Sequence, residues 1–261
     1  MRENIFDLLV DTQDYIYHYT SAETALLYIL PQKRLLFSSL ANTNDPRENR
    51  WHITACVDDA EIGEAGSISS RMHDIADGIL KNTYIMCFSQ DNKVSQEPPY
   101  FMEKGFRKFR MWAQYANNHK GVCLAFRKEI LLDKFNSIYM GMPHFSGDID
   151  YLSFLGTQMR NYEAFTLMSS ELSKQDEIIV ADRIDKYHRA YYFCKHLDWK
   201  EENEFRFVIR TDSEKKQYLD IDGALEEIIL GENFDESQLD LVAMLTNNFE
   251  YKPAFVKPYL Q

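Results

Sequence analysis

The stretch Trp199–Arg210 is predicted to be a β-strand, whose side chains point in turn to two faces, and it splits into an apolar and a mainly charged set of alternate positions. Phe205, Phe207 and Ile209 fall on one face and are predicted to enter a core. The other face carries charged side chains, with Val208 between the two arginines: Glu202, Glu204, Arg206 and Arg210. Two carboxylates and two guanidiniums are costly to bury unless they pair or hold a ligand. This face is therefore either the solvated side of an antiparallel sheet or the wall of a polar cleft.

The start of the chain has the pattern of a strand, a helix and a second strand. Three tyrosines alternate with other residues over 15–20, and His18 lies on the face opposite to them. Ser21 is a suitable N-cap for a helix that Pro31 is predicted to end. A second strand is predicted over 35–39. This order is typical of α+β or α/β proteins.

Further apolar patterns predict the remaining elements. Strands are predicted at 83–89, 122–126, 218–221, 225–231 and near 254–259, and helices at 71–81, 106–118 and 235–248. Residues 127–157 are predicted to be irregular apart from a strand-like stretch at 148–152, and helical spacing returns at 159–168 and 184–194. We expect a single α+β domain over residues 1–261, with a mixed, mostly antiparallel central sheet, flanking helices and a helical insertion at about 127–198.

Two polar segments each have a structural and a functional interpretation. Asn44 or Asp45 can cap a helix that begins at Pro46, which makes the segment a well-capped turn or a ligand contact. Four basic side chains lie among aromatic residues: Lys104, Arg107, Lys108 and Arg110. They form either a solvated helix face or a site for phosphate groups.

Composition and charge favour a globular intracellular protein. Hydrophobic residues make up 45% of the chain, enough for a sizeable core, and the net charge of −12 argues against nucleic-acid binding through a broad basic surface. The four cysteines are widely spaced and form no C-x-x-C pair, which suits a reducing cytosol. The apolar run near the N-terminus is too short for a secretion signal, and no apolar stretch approaches the length of a membrane span. We expect a cytoplasmic protein.

Several signatures of known chemistry are absent from the sequence. It contains no P-loop, no G-x-G-x-x-G, no H-E-x-x-H, no G-x-S-x-G and no zinc-type pairing of cysteine and histidine. His188 and His196 lie two helical turns apart, which does not suit a metal site on one helix. No metal ligand is therefore assigned.

A set of short blocks runs through residues 15–210. The blocks are Tyr17-His-Tyr19, Asn44-Asp-Pro-Arg-Glu48, Cys87-Phe-Ser89, Met111-Trp-Ala-Gln-Tyr115 with His119 and Gly121, and Trp199 to Arg206, extended by Ile228-Ile-Leu-Gly231. Together they resemble an uncharacterised bacterial family of unknown function. That resemblance implies no particular reaction.

Three polar residues, which lie in three predicted strands, occur in an order that supports a second resemblance. His18 lies in a first strand, Ser89 at the end of a middle strand, and Glu204 in a late Glu202-Asn203-Glu204 motif. This order, with the opening strand, helix and strand, resembles the ADP-ribosyltransferase superfamily and implies that fold with NAD as cofactor. By this resemblance the catalytic residues are His18, Ser89, Glu202 and Glu204, and the ligand-binding residues are Tyr19, Thr20, Tyr115 and Arg206.

The resemblance also implies a role for each residue. His18 would hydrogen-bond the ribose of NAD, and Ser89 would support the nicotinamide, a role that Ser38 or Ser39 could also fill. Glu204 would stabilise the oxocarbenium-like transition state, because a fixed carboxylate favours the positive charge that develops on the sugar. Tyr19 or Tyr115 would stack on the nicotinamide.

Three functions remain open from the sequence. The first is an NAD-dependent ADP-ribosyltransferase-like effector, in a toxin or phage-defence setting, that modifies a protein or nucleic acid. The second is a non-catalytic ligand-sensing domain in which the glutamates and arginines form a fixed network. The third is a nuclease-like effector with a divalent metal on four carboxylates: Asp45, Glu48, Glu202 and Glu204. A nucleotide ligand is expected and no membrane partner, whereas the acceptor and the oligomeric state are left unassigned.

Overall fold

A central β-sheet with helices on both faces forms the main part of the described chain. A computed structural model of the protein describes residues 14–45, 48, 54–56, 62–92, 104–168 and 176–257. The strands in these ranges are β1 (Tyr15–Thr20), β2 (Arg34–Leu36), β3 (Ser38–Ser39), β4 (Thr54–Cys56), β5 (Thr83–Gln90), β6 (Val122–Arg127), β7 (His144–Asp148), β8 (Asp150–Leu152), β9 (Thr166–Met168), β10 (Cys194–His196), β11 (Glu204–Arg210), β12 (Tyr218–Asp220), β13 (Leu225–Leu230) and β14 (Ala254–Val256).

The helices separate these strands. Helix α1 joins the segments Ala22–Thr24, Ala25–Ile29 and Leu30–Gln32, and the others are α2 (Ile62–Lys81), α3 (Phe109–Tyr115), α4 (Lys128–Tyr139), α5 (Phe154–Arg160), α6 (Tyr162–Phe165), α7 (Asp176–Lys186), α8 (His188–Tyr192) and α9 (Leu239–Thr246). Short 3-10 segments cover Leu40–Asn42, Gly105–Arg107, Leu197–Glu202 and Glu236–Gln238. The Ser21 hydroxyl accepts a hydrogen bond from the Thr24 N–H at 3.0 Å, as expected of an N-cap.

The central sheet has eight strands in the order β14–β13–β6–β1–β5–β11–β7, with β3 paired to β5 beside that path. All its pairs are antiparallel apart from β13 with β14. The predicted α+β class, with a mixed, mostly antiparallel central sheet and flanking helices, is confirmed.

One face of the sheet is covered by α1, α4 and α9, and β11 contributes three residues to the core there. Phe205, Phe207 and Ile209 are buried in this core with residues of all three helices. On the second face, one apolar cluster packs β1 and β6 against α3, and another packs β5 and β11 against α2, α7 and α8. Val208 belongs to the latter cluster. Glu204 and Arg206 share this second face by alternation, so the two-faced strand predicted from the sequence is present.

The strands β1 and β5 are paired at one end only. Their register consists of Ile16 with Gln90 and Tyr17 with Ser89. Further along β5, Tyr84 and Ile85 pair with the two residues of β3 instead. The middle of β5 therefore faces a gap in the sheet, and this gap positions the candidate site.

The structure differs from the sequence prediction at several places, including strand β9 within the predicted helical stretch 159–168 and the three that follow. Residues 199–202 are not strand but belong to the 3-10 segment Leu197–Glu202, which ends at Asn203, a residue with a left-handed backbone and a φ of 43°, just before β11. The segment 127–157, predicted to be irregular, contains α4 and β7, and β7 pairs with β11 in the central sheet. Helix α1 continues past Pro31 to Gln32 and ends at Lys33, whose φ is 49°.

The reasons for these differences are local. Leu131, Phe135 and Tyr139 recur every four residues and face the core from α4, a helical spacing within the segment predicted to be irregular. Strand β7 has a glycine and polar residues, and its place depends on the partner strand rather than on its own composition. The helix predicted to begin at Pro46 lies outside the described residues.

Candidate active site

A cavity of about 240 Å³ lies beside the gap between β1 and β5. Its wall is formed by residues of β1, β3, β5, β10 and β11, by residues 42–44 and 48, by Glu202 and by side chains of α3. Because these elements are far apart in the sequence, the cavity is a product of the tertiary fold.

His18 reaches across the gap between the two strands. Its Nδ1 lies 3.1 Å from the carbonyl oxygen of Cys87, and since a carbonyl only accepts, Nδ1 is the donor. Burial lowers the pKa of His18 from its ordinary value, and the bond to Cys87 opposes that lowering only in part. The ring is therefore neutral at pH 7, and Nε2 is left as a hydrogen-bond acceptor.

Five buried charged side chains share one part of the cavity wall: Glu48, Lys195, Glu202, Glu204 and Arg206. Lys195 Nζ lies 2.7 Å from Oε2 of Glu202, 2.7 Å from Oε2 of Glu204 and 3.8 Å from Oε2 of Glu48. Arg206 donates from Nε to Glu204 Oε1 at 2.6 Å, and its Nη2 lies 2.6 Å from Glu48 Oε1. We call these five residues the charged cluster. It holds three carboxylates and two cations.

The cluster fixes the charge of its members in different ways. Burial by itself would raise the pKa of Glu204, but Arg206 and Lys195 outweigh it and lower that pKa to about 2. For Glu48 burial is the larger effect, and its pKa is raised despite the same two cations. Burial would lower the pKa of Lys195 and of Arg206, but the neighbouring carboxylates raise both. Glu204, Lys195 and Arg206 are thus charged at neutral pH.

A shell of hydrogen bonds holds the two glutamates of the Glu202-Asn203-Glu204 motif. Tyr115 donates its hydroxyl proton to Glu202 Oε1 at 2.8 Å. Ser89 donates from Oγ to the backbone carbonyl of Glu202 at 2.7 Å. The backbone N–H of Glu204 donates to the Tyr151 hydroxyl at 2.9 Å. Both residues are therefore held through backbone and side chain.

Most of the residues predicted for the site lie on the cavity wall. This set consists of His18, Ser89, Glu202, Glu204, Tyr19, Tyr115 and Arg206, together with the alternative serines Ser38 and Ser39. Thr20 is buried and is not among the lining residues. Arg210 lies further along β11 and makes a two-bond ion pair with Asp185.

Two predicted ligand-binding residues, Tyr19 and Arg206, are bound by other groups of the protein. Tyr19 packs edge-on against Trp112 at 5.1 Å, and its hydroxyl donates to the Gly105 carbonyl. Arg206 is 1% exposed, and its Nη1 donates to the Tyr192 carbonyl, so that all three guanidinium nitrogens face protein groups. Both residues therefore support the wall.

Three residues that hold this site are not predicted from the sequence. Lys195 belongs to none of the predicted motifs, Glu48 is predicted as part of a family block and as a metal ligand but not as a partner of Arg206, and Tyr151 lies in the segment predicted to be an insertion. A lone lysine in Cys194–His196 has no pattern that predicts a bond to residues seven and nine positions later. The sequence feature that points to this site is the Trp199 to Arg206 block, since it contains both glutamates that Lys195 binds.

Three of the basic residues in and just before α3 contact protein acceptors. Lys104 pairs with Asp91 at 2.9 Å, and Arg110 donates to the Asp198 carbonyl at 3.0 Å. Lys108 donates to the Glu202 carbonyl at 2.8 Å, and burial lowers its pKa to about 8. Lys108 is thus a further support of the Glu202 backbone.

Two features are absent from the described residues: a metal-binding cluster and a membrane-spanning helix. In those ranges, no group of three or more histidine, cysteine, aspartate or glutamate side chains is arranged to hold a metal ion. Lys195 lies where its ammonium contacts Glu48, Glu202 and Glu204 together. Within the same part of the chain, each helix is too short or too polar to cross a membrane.

Similarity to known proteins covers different parts of the chain. A family described as "Protein of unknown function (DUF2971)" matches residues 111–207, which confirms the resemblance to a family of unknown function. No curated protein matches the sequence. A solved structure of Thermus sp. 2.9 DarT in complex with NAD+ is similar with a TM-score of 0.37 and 12% identity, over 94% of this chain and 96% of that chain. The ADP-ribosyltransferase-like fold and the NAD cofactor stay predictions for this chain.

Proposed function

We propose that this protein is an NAD-cleaving enzyme of the ADP-ribosyltransferase type. The observation that supports it is that His18, Ser89 and Glu204, which come from three separate strands, line one cavity. The sequence resemblance assigned these three residues to a common site. An effector role in a toxin or phage-defence setting is the expectation that goes with this activity.

The size of the cavity indicates which part of NAD it would hold. Pockets for whole drug-sized ligands have volumes of about 300–1,000 Å³. The cavity has about 240 Å³, which suits one ring and its ribose better than a complete dinucleotide. We therefore assign the nicotinamide and the ribose attached to it to this cavity.

Glu204 would stabilise the transition state. When the bond between nicotinamide and ribose C1′ breaks, nicotinamide leaves with the bonding electrons as a neutral molecule, and positive charge develops on the sugar. The ADP-ribosyl group then bonds to an acceptor or to water, which gives up a proton. A carboxylate held ionised in a dry wall favours that charge more than it would in water. Glu204 has this property because Arg206 and Lys195 lower its pKa.

His18 and Ser89 would orient the bound half of NAD. His18 donates from Nδ1 to Cys87, so its Nε2 would accept a hydrogen bond from a ribose hydroxyl. The Ser89 hydroxyl donates its proton to the Glu202 carbonyl, so Ser89 Oγ would accept a hydrogen bond from the amide of nicotinamide. Tyr115 is only partly buried at the wall, whereas Tyr19 is packed against Trp112, so Tyr115 is the better candidate for stacking on the ring.

The test is release of nicotinamide from NAD by the full chain. Wild type is compared with Glu204→Gln, which keeps the shape of the side chain and removes its charge, and with Glu232→Gln at an exposed position as the matched control. We expect the first variant to lose about 10²–10³-fold in kcat, as when one group that stabilises transition-state charge is removed. The control should keep wild-type turnover. Wild-type protein that releases no nicotinamide with any protein, nucleic acid or water acceptor would refute the proposal.

A non-catalytic ligand-sensing domain is a second candidate, and one observation favours it. Both carboxylate oxygens of Glu204 are already paired, Oε1 with Arg206 and Oε2 with Lys195. A nucleotide that raises the melting temperature without being cleaved would support this candidate. The metal-dependent nuclease has no such support, because the ammonium of Lys195 contacts the carboxylates that would bind the metal.

A further inference from the structure

Lys195 occupies the centre of the charged cluster. Its ammonium lies 2.7 Å from Glu202 Oε2 and 2.7 Å from Glu204 Oε2, so a single group joins the two carboxylates of the Glu202-Asn203-Glu204 motif. Glu202 ends a 3-10 segment and Glu204 begins β11, with the left-handed Asn203 between them. The backbone bends sharply at this point, so Lys195 links two side chains that lie on different elements.

The position of Lys195 is itself held by the small parallel sheet of β8 and β10. Lys195 is the register partner of Tyr151 in that sheet. Tyr151 accepts a hydrogen bond from the Glu204 backbone N–H, while Lys195 binds the Glu204 side chain. The Lys195 ammonium also lies 5.4 Å from the centre of the Trp199 ring. One pair of adjacent residues on a separate sheet thus holds both the backbone and the side chain of Glu204.

Neutralisation of charge accounts for only part of this arrangement. Taking ions out of water is costly, and well-packed apolar side chains often stabilise a fold as well as a buried ion pair does. Arg206 already pairs with Glu204, so Lys195 is a second cation on that carboxylate, and it is also the cation that contacts Glu202. A charge held in a fixed position on a cavity wall is what the second cation adds.

We infer that Lys195 is a positioning residue of the active site, which acts through Glu204 and Glu202 by fixing their orientation toward the bound ribose. This inference rests on the proposed function. Several groups face Glu204 from the surrounding elements: Lys195 on β10, Arg206 on β11, Cys87 on β5, Tyr151 on β8, Glu202 and Glu48. Of these, Lys195 and Arg206 are the cations, so loss of either should allow Glu204 to take up a proton more easily.

The experiment compares Lys195→Met and Lys195→Arg with wild type in the nicotinamide-release assay. We expect Lys195→Met to lower kcat by about 10–100-fold, as for loss of an outer-shell partner of a functional group, with a smaller change in KM. The acidic limb of its pH–rate profile should move to higher pH. Lys195→Arg keeps the charge and should keep the acidic limb near that of wild type. Arg210→Met is the matched control, because it removes a paired cation from the far end of β11, and its turnover should be unchanged.

Other outcomes would overturn the inference. Wild-type turnover and an unmoved acidic limb in Lys195→Met would show that Lys195 does not position Glu204. If Lys195→Met does not fold, Lys195→Met with Glu202→Gln removes one cation and one anion together. That double variant should fold and remain slow, and normal turnover in it would refute the role.

The assay also separates this inference from the proposed function. Absence of nicotinamide release in wild type is a failure of the proposed function. In that event the titration of Glu204, followed by NMR of the side-chain carboxyl and assigned with Glu204→Gln, still tests Lys195. An upward shift of the Glu204 pKa in Lys195→Met supports the positioning role, and an unchanged pKa contradicts it.

Discussion

His18 shows how one side chain can take the place of a backbone contact. The register of β1 and β5 ends at Tyr17 and Ser89, and beyond it the imidazole Nδ1 binds the Cys87 carbonyl. The ring also packs against Phe88 with centroids 5.8 Å apart. Because both a hydrogen bond and a ring contact hold it, the histidine should be rigid in the gap. Its neutral form is the one that fits this environment.

The neutral state of His18 makes stability depend on pH. Its pKa is lowered in the folded chain from the ordinary 6.5. As pH falls through about 6.5 the unfolded chain therefore binds a proton more readily than the folded chain, and stability falls. Wild type should lose more stability between about pH 7 and pH 5 than His18→Phe, which keeps an aromatic ring and does not titrate.

Urea unfolding of both proteins at several pH values measures this difference. His188→Phe is the matched control, since His188 stacks on Phe145 away from the cavity and has a separate contact to the Asp185 carbonyl. Equal pH dependence in wild type and His18→Phe would show that His18 titrates as it does in the unfolded chain.

At the scale of elements, the turn before β11 decides where Glu202 and Glu204 point. Asn203 has a φ of 43° and lies between the 3-10 segment and the strand. Its side-chain amide donates to the carbonyls of Gln90 at 3.1 Å and Asp91 at 2.9 Å. The turn is thereby tied to the end of β5, where Ser89 holds the Glu202 carbonyl. Two successive glutamates of the motif can then face one cavity from different elements.

Two substitutions of Asn203 should separate the stability that comes from its side-chain hydrogen bonds from the cost of its left-handed backbone. Asn203→Ala loses the hydrogen bonds and places a Cβ in left-handed backbone, so we expect a loss of about 2–3 kcal/mol in the free energy of unfolding. Asn203→Gly loses the same hydrogen bonds but tolerates the backbone, and should lose less. Denaturant titration of both variants measures the difference. Equal losses would mean that the backbone conformation carries no cost here.

At the scale of the molecule, the charged cluster shares the second face of the sheet with two apolar clusters. Arg206 is among the largest fully buried side chains and contacts Glu48, Glu204 and the Tyr192 carbonyl. It thus joins Glu48, β11 and α8. The stability of this face depends on it, because carboxylates left without a cation in a dry interior are costly.

Arg206→Met should therefore destabilise the protein strongly. We expect a loss of about 3–5 kcal/mol, as for removal of one partner from a buried ion pair. The double variant Glu48→Gln with Arg206→Met should recover part of it, since one unpaired carboxylate is removed. Thermal and urea unfolding of the two variants test this, and a single variant as stable as wild type would contradict it.

The destabilisation caused by Arg206→Met should depend on pH in the acid range. The pKa of Glu204 is lowered from 4.5 to about 2 in the folded chain. The stability that its ionised form contributes is therefore complete above pH 4.5 and is lost as the pH falls toward about 2. The difference in stability between wild type and Arg206→Met should therefore shrink over that range. A difference that stays constant would assign the loss to packing rather than to charge.

Much of the fold followed from local periodicity. The alternation around Phe207 predicted which side of β11 enters the core, and the pattern of tyrosines predicted strand β1. Strand β7 and helix α4 were missed for different reasons. β7 depends on its partner β11, while the four-residue spacing of Leu131, Phe135 and Tyr139 in α4 was present and was not used.

Part of the candidate site is predictable from local sequence patterns, and part depends on contacts between distant residues. The sequence by itself determined that Glu204 and Arg206 share one face of a strand and that His18 lies on an early strand, because strand side chains alternate with a period of two. The tertiary structure alone decided that β1 and β5 separate beside a cavity and that Lys195 and Glu48 meet this strand. Those contacts join residues far apart in the chain, and no local pattern contains the distance between them.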